Sequence, residues 1–342
     1  MKTAMKMAAM ALACTTLAPT AFSASVDDYL GHWALNLPGG AGWLDVRQET
    51  HHDNTYLEGD ILWYGGSVVP VQSIFMNEGT LVVVRLHNVP RIIENEEVVR
   101  AHTVPQWLEM ELQGDTLQVT NNMPSNDGLM TNKNSFTADR IPPLPPKPNL
   151  EALEYGEPIE IFNGENLDGW SLINPDRENG WYVEDGVLHN NPEDRDEGVH
   201  YGNLRTDREF EDFNLTLEVN VPEGGNSGIY LRGIYEIQVL DSYGRGLDNH
   251  HMGAVYSRIT PSESAEKPAG EWQTFDITLC DRHVNVVLNG TTIIDNQPLH
   301  GPTGGALWAD QFRPGPIYLQ GDHDAVAYRN MVLRPIVGGD NE

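Results

Sequence analysis

The chain is predicted to be all-β: a small antiparallel β-barrel or sandwich, followed by a larger two-sheet β-sandwich. Three observations predict this. Apolar and polar residues alternate along many short runs. Gly, Asn, Asp and Pro punctuate those runs at hairpin spacing. No stretch carries the 3.6-residue apolar period of a long amphipathic helix.

The first 25 residues stand apart from the fold. Lys2 and Lys6 precede an apolar run at 7–17, and small residues follow in Ala21-Phe22-Ser23-Ala24-Ser25. This is the layout of a secretory signal peptide, cut after Ser23 or Ser25. Its apolar run is too short to span a bilayer as a helix. Cys14, after Ala11-Leu12-Ala13, is similar to a lipoprotein cleavage box with the leucine displaced, so anchoring at Cys14 is the alternative. No later segment has a long apolar stretch, and the expectation is a soluble periplasmic or secreted protein. With the leader removed, Cys280 has no second cysteine to pair with in the chain. In its strand-like run Cys280 reads as a small buried apolar residue.

Residues 26–140 contain strand-like runs at 42–47, 55–59, 67–71, 80–85, 107–112 and 116–120. Residues 91–99 read as a short helix or a charged loop. Gly31-His32-Trp33 resembles the Gly-x-Trp opening of lipocalin-like barrels. His51-His52 beside Asp53 hints at a metal, but neighbouring strand positions point to opposite faces, so a solvated turn is expected. Residues 141–156 open with five prolines in eight positions. Such a run favours an extended, semi-rigid linker and places a domain boundary there.

Residues 157–338 give the second set of strands. Runs at 180–188, 213–219, 272–279, 285–288, 291–294, 317–320 and 325–328 alternate or are strand-like. Asp185-Gly186 and Asn289-Gly290 are hairpin turns. Many short strands without helices fit a jelly-roll sandwich, whose concave sheet leaves one face for a ligand.

Composition limits the partners. The chain has 50 acidic against 21 basic residues, a net charge of −29. Such a surface repels nucleic acid and anionic headgroups, while a neutral sugar is compatible with it.

The most informative segment is NSGIYLRGIYEIQVLD, residues 226–241. It reads as two strands turning at Gly233. Tyr230 and Arg232 share one face with Glu236 and Gln238; Ile229, Leu231, Ile237 and Val239 take the other. That polar face, ending near Asp241, is either a sugar-binding acid–base surface or an ordinary solvated sheet face.

The set of strings IFNGENLDGW, GWYVEDGVL, NLRTDREFEDFNLTLEV, NSGIYLRG, YEIQVLDSYG, AGEWQTFDITL, VVLNG and IYLQGDHDAVAYRN occurs in order. Over residues 157–336 the chain resembles the 3-keto-disaccharide hydrolase domain family. The resemblance implies a concanavalin-like jelly roll related to laminarinase-type glucanases, acting outside the cytoplasm on glycosides oxidised at C3. Laminarinase-type enzymes usually carry Glu-x-Asp-x-Glu, or a one-residue-longer form, on the corresponding strand. Here the strand reads Glu236-x-Gln238-x-x-Asp241, which departs from the two-carboxylate pattern of retaining hydrolysis. A ketone at C3 makes the C2 proton acidic, so C2 deprotonation, β-elimination and hydration are expected instead.

On that expectation Glu236 and Asp241 are the acid and base, in either order. The structural alternative for Glu236 is an ion pair with Arg232. His323, between two acids at a strand end, is a third catalytic candidate or part of a tight turn. Gln238 suits a sugar hydroxyl, and Arg232 suits an enolate or a structural clamp. Asn226, Tyr230 and Gln320 are further binding candidates, with His250 from a glycine-rich loop. Tyr256 and Trp308 are candidate stacking rings, whereas Trp170, Trp181 and Trp272 are assigned to packing. No cofactor is firmly implied. A divalent metal, either calcium or a catalytic transition metal held by histidines with Asp241, stays open without a named ligand set. A non-catalytic carbohydrate-binding module and a conventional endoglucanase are the alternatives.

Overall fold

The computed structural model describes residues 24–94, 97–193 and 195–339. The leader through Ser23, with Cys14, lies outside the described residues. Among the described residues there is no α-helix, only two 3₁₀ turns.

The first sheet is a meander of β1 (Gly31–Leu35), β2 (Gly42–His51), β3 (Asn54–Leu62), β4 (Val68–Pro70), β5 (Ser73–Asn77), β6 (Thr80–Glu94), β7 (Glu97–Gln113), β8 (Thr116–Pro124) and β9 (Thr131–Arg140). Each strand pairs antiparallel with its neighbour, and β9 returns to β1. Between β4 and β5 the Val71 N–H donates to Gly59 on β3, and the Gln72 N–H donates to Val84 on β6. That broken strand closes the sheet, giving an up-and-down barrel rather than a sandwich. Trp33, Leu35, Leu44, Val46, Leu81, Val83, Leu108, Met110 and Phe136 fill it.

Where a helix or charged loop is expected at 91–99, the described residues 91–94 and 97–99 are strand. β6 and β7 run on as one hairpin, pairing Ile92 with Arg100 and Ile93 with Val98. Cross-strand hydrogen bonds there outweigh a run whose charges suggested otherwise.

The second half contributes β10 (Glu154–Tyr155), β11 (Ile159–Glu160), β12 (Trp170–Leu172), β13 (Trp181–Glu184), β14 (Val187–Asn190), β15 (Leu204–Thr206) and β16 (Phe213–Asn220). It continues with β17 (Asn226–Leu231), β18 (Tyr235–Leu240), β19 (Gln273–Cys280), β20 (His283–Leu288), β21 (Thr291–Pro298), β22 (Tyr318–Leu319) and β23 (Val326–Gly338). One sheet runs β13-β14-β23-β16-β19-β20-β21, with β10 and β11 added to β23; the other runs β12-β15-β22-β17-β18. Both Asp-Gly and Asn-Gly turns take the left-handed conformation that two-residue hairpins need, with φ of 49° and 78° at Asp185-Gly186 and 51° and 85° at Asn289-Gly290. The apolar faces enclose one core, in which Leu215, Leu217, Ile229, Ile237, Ile277, Val286 and Leu333 are buried. Cys280 is buried on β19.

Barrel and sandwich are packed together. Ala34, Ala41, Trp43, Leu62 and Ile141 belong to the same apolar cluster as the sandwich core. The Trp43 indole donates to the His300 carbonyl at 2.8 Å, and the Val68 N–H donates to the Ser257 hydroxyl at 2.8 Å. The proline run lies along the sandwich: Arg282 donates to the carbonyls of Pro142 and Pro143, and Asn296 to that of Pro148.

Candidate active site

The site is built on the outer face of the five-stranded sheet. Antiparallel register on β17 and β18 sets Tyr230 opposite Glu236 and Gly228 opposite Gln238. The next strand, β22, brings Tyr318 beside Tyr230, and the two rings stack at 4.0 Å and 7°. The Tyr230 hydroxyl donates to Glu236 Oε2 at 2.7 Å. Gly228 leaves the space this carboxylate occupies, since a Cβ there would lie 2.5 Å from Glu236 Oε1. Glu236 is only 4% exposed, yet it lines a cleft of about 300 Å³.

The cleft has walls from both halves of the chain. Asn226, Gln238, Tyr256, Gln320, Asp322 and His323 come from the sandwich; Gly39, Gly40, Tyr64, Gly65 and Gly66 come from barrel loops. The loop 304–306 closes against the barrel, with the Gly65 N–H donating to the Gly304 carbonyl at 2.7 Å. Gln238 donates to Asn226 Oδ1 at 2.9 Å, and its own Oε1 is buried with no protein partner among the described residues.

Burial sets the electrostatics. Desolvation pushes the Glu236 carboxyl up to about 7, against the opposing pull of the Tyr230 hydrogen bond and of His323. A group with that pKa exchanges protons at neutral pH. His323 is shifted up as well, which for an imidazole favours the charged form: its 2.8 Å hydrogen bond to Asp322 raises its pKa and favours the cation. Asp322 is held below its ordinary value, with its hydrogen bond to His323 opposing the cost of burial. Tyr230 and Tyr318 are driven well above the ordinary phenol range by burial and by Glu236, so both are hydroxyl donors at neutral pH. The site therefore combines one near-neutral carboxyl, one imidazolium-prone ring and two phenols.

A sequence profile of the 3-keto-alpha-glucoside-1,2-lyase-like domain matches residues 157–334. The chain belongs to this family. A 3-keto-disaccharide hydrolase from Bacteroides thetaiotaomicron is 32% identical over 143 residues, which cover 33% of this chain and 49% of that protein. The match thus spans about half the length of that relative. A solved structure of a candidate glycosyl hydrolase from Parabacteroides distasonis is 28% identical, covering 58% of this chain and 94% of that one at a TM-score of 0.44. The carbohydrate-binding module CBM66 from Bacillus subtilis is 12% identical, covering 50% and 97% at a TM-score of 0.33.

Within the lyase-like domain the expected residues divide. Glu236, Gln238, Asn226, Tyr230, Tyr256, Gln320 and His323 line one cleft. Arg232 does not join them. The strand ends before it, its φ is +52°, and its guanidinium donates to the Gln311 and Arg313 carbonyls in a separate cavity. The expected alternative, an Arg232–Glu236 ion pair, does not form either. Asp241 follows the end of β18 and accepts from the Gly224 N–H at 2.9 Å, so it fastens a loop outside the cleft. Trp308 lies outside the cleft as well, with the Arg313 guanidinium 3.8 Å over its ring. His250 sits behind Tyr256, edge-on at 4.8 Å, and is held by Asp248 at 2.9 Å and Ser67 at 3.0 Å.

Sequence reasoning missed Tyr318, Asp322, Asn203 and the barrel loops. Tyr318 had a readable signal: it lies two residues before Gln320 in one strand-like run and so shares its face. Among the described residues no group of three or more His, Cys, Asp or Glu side chains is placed to hold an ion, and His323 and His250 each face a single aspartate.

Proposed function

We propose that this chain cleaves 3-keto-glycosides, 3-keto-disaccharides among them, by proton abstraction at C2 and departure of the C1 substituent. The observation that carries this is the buried Glu236 carboxyl at the floor of the cleft, pushed up to about 7 and fixed by Tyr230. Family membership and the name of the Bacteroides relative support the 3-keto substrate class. The leader-like pattern of residues 1–25 supports action outside the cytoplasm.

The roles follow from protonation. Glu236 as carboxylate takes the C2 proton, and the electron pair delocalises onto the C3 oxygen as an enolate. Tyr318 accepts a hydrogen bond from Asn203 at 3.1 Å, which leaves its own proton to donate to that enolate oxygen. The enolate electrons then form C1=C2 as the C1–O bond breaks. His323, biased toward its cation by Asp322, delivers a proton to the departing oxygen. Water adds its oxygen to C1 and a proton to C2, returning a 3-keto sugar. Gln238 Oε1, buried without a protein partner, accepts from a sugar hydroxyl.

The test is turnover of a 3-keto-disaccharide beside its unoxidised parent, in deuterated water. Loss of the keto compound alone, with deuterium at C2 of the product, is expected. Cleavage of the parent would point to an ordinary glycosidase, and binding without turnover to a carbohydrate-binding module. An unlabelled C2 would sink the elimination route.

A further inference from the structure

A second cavity of about 590 Å³ adjoins the cleft, sharing Gly39, Asn203 and Asp322 with it. Asn203 is the partition. Its Oδ1 accepts from the Gly321 and Asp322 N–H groups at 2.8 and 3.1 Å, while its Nδ2 donates to Tyr318. His323, the proposed donor to the departing oxygen, follows Asp322 on this same turn. His323 itself lines the cleft, and Asp322 beside it is shared with the second cavity, so a group protonated by His323 would leave next to that boundary.

The lining of this second cavity runs against the charge of the whole chain. Overall, acids outnumber bases 50 to 21. Among the described residues the lining carries Arg177, Arg195 and His200 with one acid, the boundary Asp322, while Asp324 pairs with Arg195 at 2.9 Å. Glu193 and Glu197, two residues to either side of Arg195, do not line it; like them, Arg177 and Arg195 are exposed to solvent. Arg195 is held in place, donating to the His323 carbonyl at 2.5 Å and to Asp324 Oδ1 at 2.9 Å. Arg177 is set by a turn, its N–H donating to the Asn174 carbonyl at 3.2 Å. Tyr201, half-buried, completes the wall with a ring that can lie against a sugar.

We propose that this cavity seats the leaving portion of the substrate and selects one carrying an anionic substituent, a carboxylate or a sulfate, through Arg177 and Arg195. This rests on the glycoside-cleaving reading and adds its substrate class. Arginine matches both groups with paired donors.

The test uses 3-keto-disaccharides of one linkage whose leaving sugar is glucose, glucuronic acid or glucose 6-sulfate. An anionic leaving sugar is expected to raise kcat/KM about tenfold, the size of one charge-assisted contact. Arg177→Gln should cut that anionic-to-neutral ratio about tenfold, and Arg177→Glu should invert it. Comparing the two anionic substrates decides between carboxylate and sulfate. Equal turnover of all three, unchanged by Arg177→Gln, overturns the subsite and leaves the cleavage reading intact. If none is cleaved, the cleavage reading fails and calorimetry decides the subsite separately. Binding of methyl glucuronide but not methyl glucoside, lost in Arg177→Gln, supports it; no binding of methyl glucuronide or of methyl glucoside 6-sulfate overturns it.

Discussion

Glu236 combines two demands that oppose each other. Its carboxyl must ionise to remove a proton, yet the surrounding protein disfavours the charge. Because its pKa is raised from 4.5 to about 7 on folding, the protonated form stabilises the fold. That contribution is complete below 4.5 and is lost as pH rises through about 7, amounting to about 3 kcal/mol. Glu236→Gln is thus expected to lower kcat by a factor of about 10² to 10⁴. The same variant should melt at the wild-type temperature at pH 5 and above it at pH 8.5; wild-type kcat would remove Glu236 from the chemistry. Tyr230→Phe deletes a hydrogen bond that favours the carboxylate. Its acid limb in a kcat/KM–pH profile should move to higher pH. A limb that stays or moves down would show that the phenol does not tune this group.

At the scale of elements, the β17–β18 hairpin shows what alternation reveals and where it stops. A period of two was enough to place Tyr230, Glu236 and Gln238 on one face, because paired strands enforce it. The same rule misplaced Arg232, since the chain enters a left-handed turn one residue past the strand. It also could not place Asp241, whose side chain is taken by a backbone N–H seventeen residues earlier. Gly228 has a role no pattern announces, as its missing side chain is the space for the Glu236 carboxylate. Gly228→Ala should displace that carboxylate, lowering kcat at least tenfold while costing about 1–3 kcal/mol of stability. Normal activity in a folded Gly228→Ala protein would mean that the carboxylate position is not critical.

For the molecule as a whole, two all-β halves were legible from strand spacing and turn residues, but the choice of barrel over sandwich for the first, and the packing of the two, were not. Tyr64 and Gly65 join a cleft whose sandwich walls lie well over a hundred positions further along the chain, a distance no local period spans. The junction also has its own pH response. His32 stacks on Trp43 at 5.4 Å and meets His300 at 5.1 Å, while the Arg258 guanidinium lies 4.4 Å over the same indole. Burial lowers the pKa of His32 and of His300, with Arg258 and Arg282 adding repulsion and Asp45 opposing it. Each histidine therefore favours the fold when neutral. This contribution is present above 6.5 and is lost as pH falls through the depressed values. The melting temperature should fall on acidification, and less in His300→Gln than in the wild type; an identical fall in both would exclude the junction as the cause.

The rim formed by Gly39, Gly40, Gly65, Gly66, Gly304 and Gly305 is bare peptide. That part of the wall meets a sugar with amide dipoles, while Tyr64 and Tyr256 line the cleft beside it with side chains. An added methyl is not neutral there: a Cβ on Gly304 would lie 2.2 Å from the Gly66 carbonyl oxygen and one on Gly305 2.3 Å from the Tyr230 hydroxyl, so the width available to a glycoside depends on these positions staying without side chains.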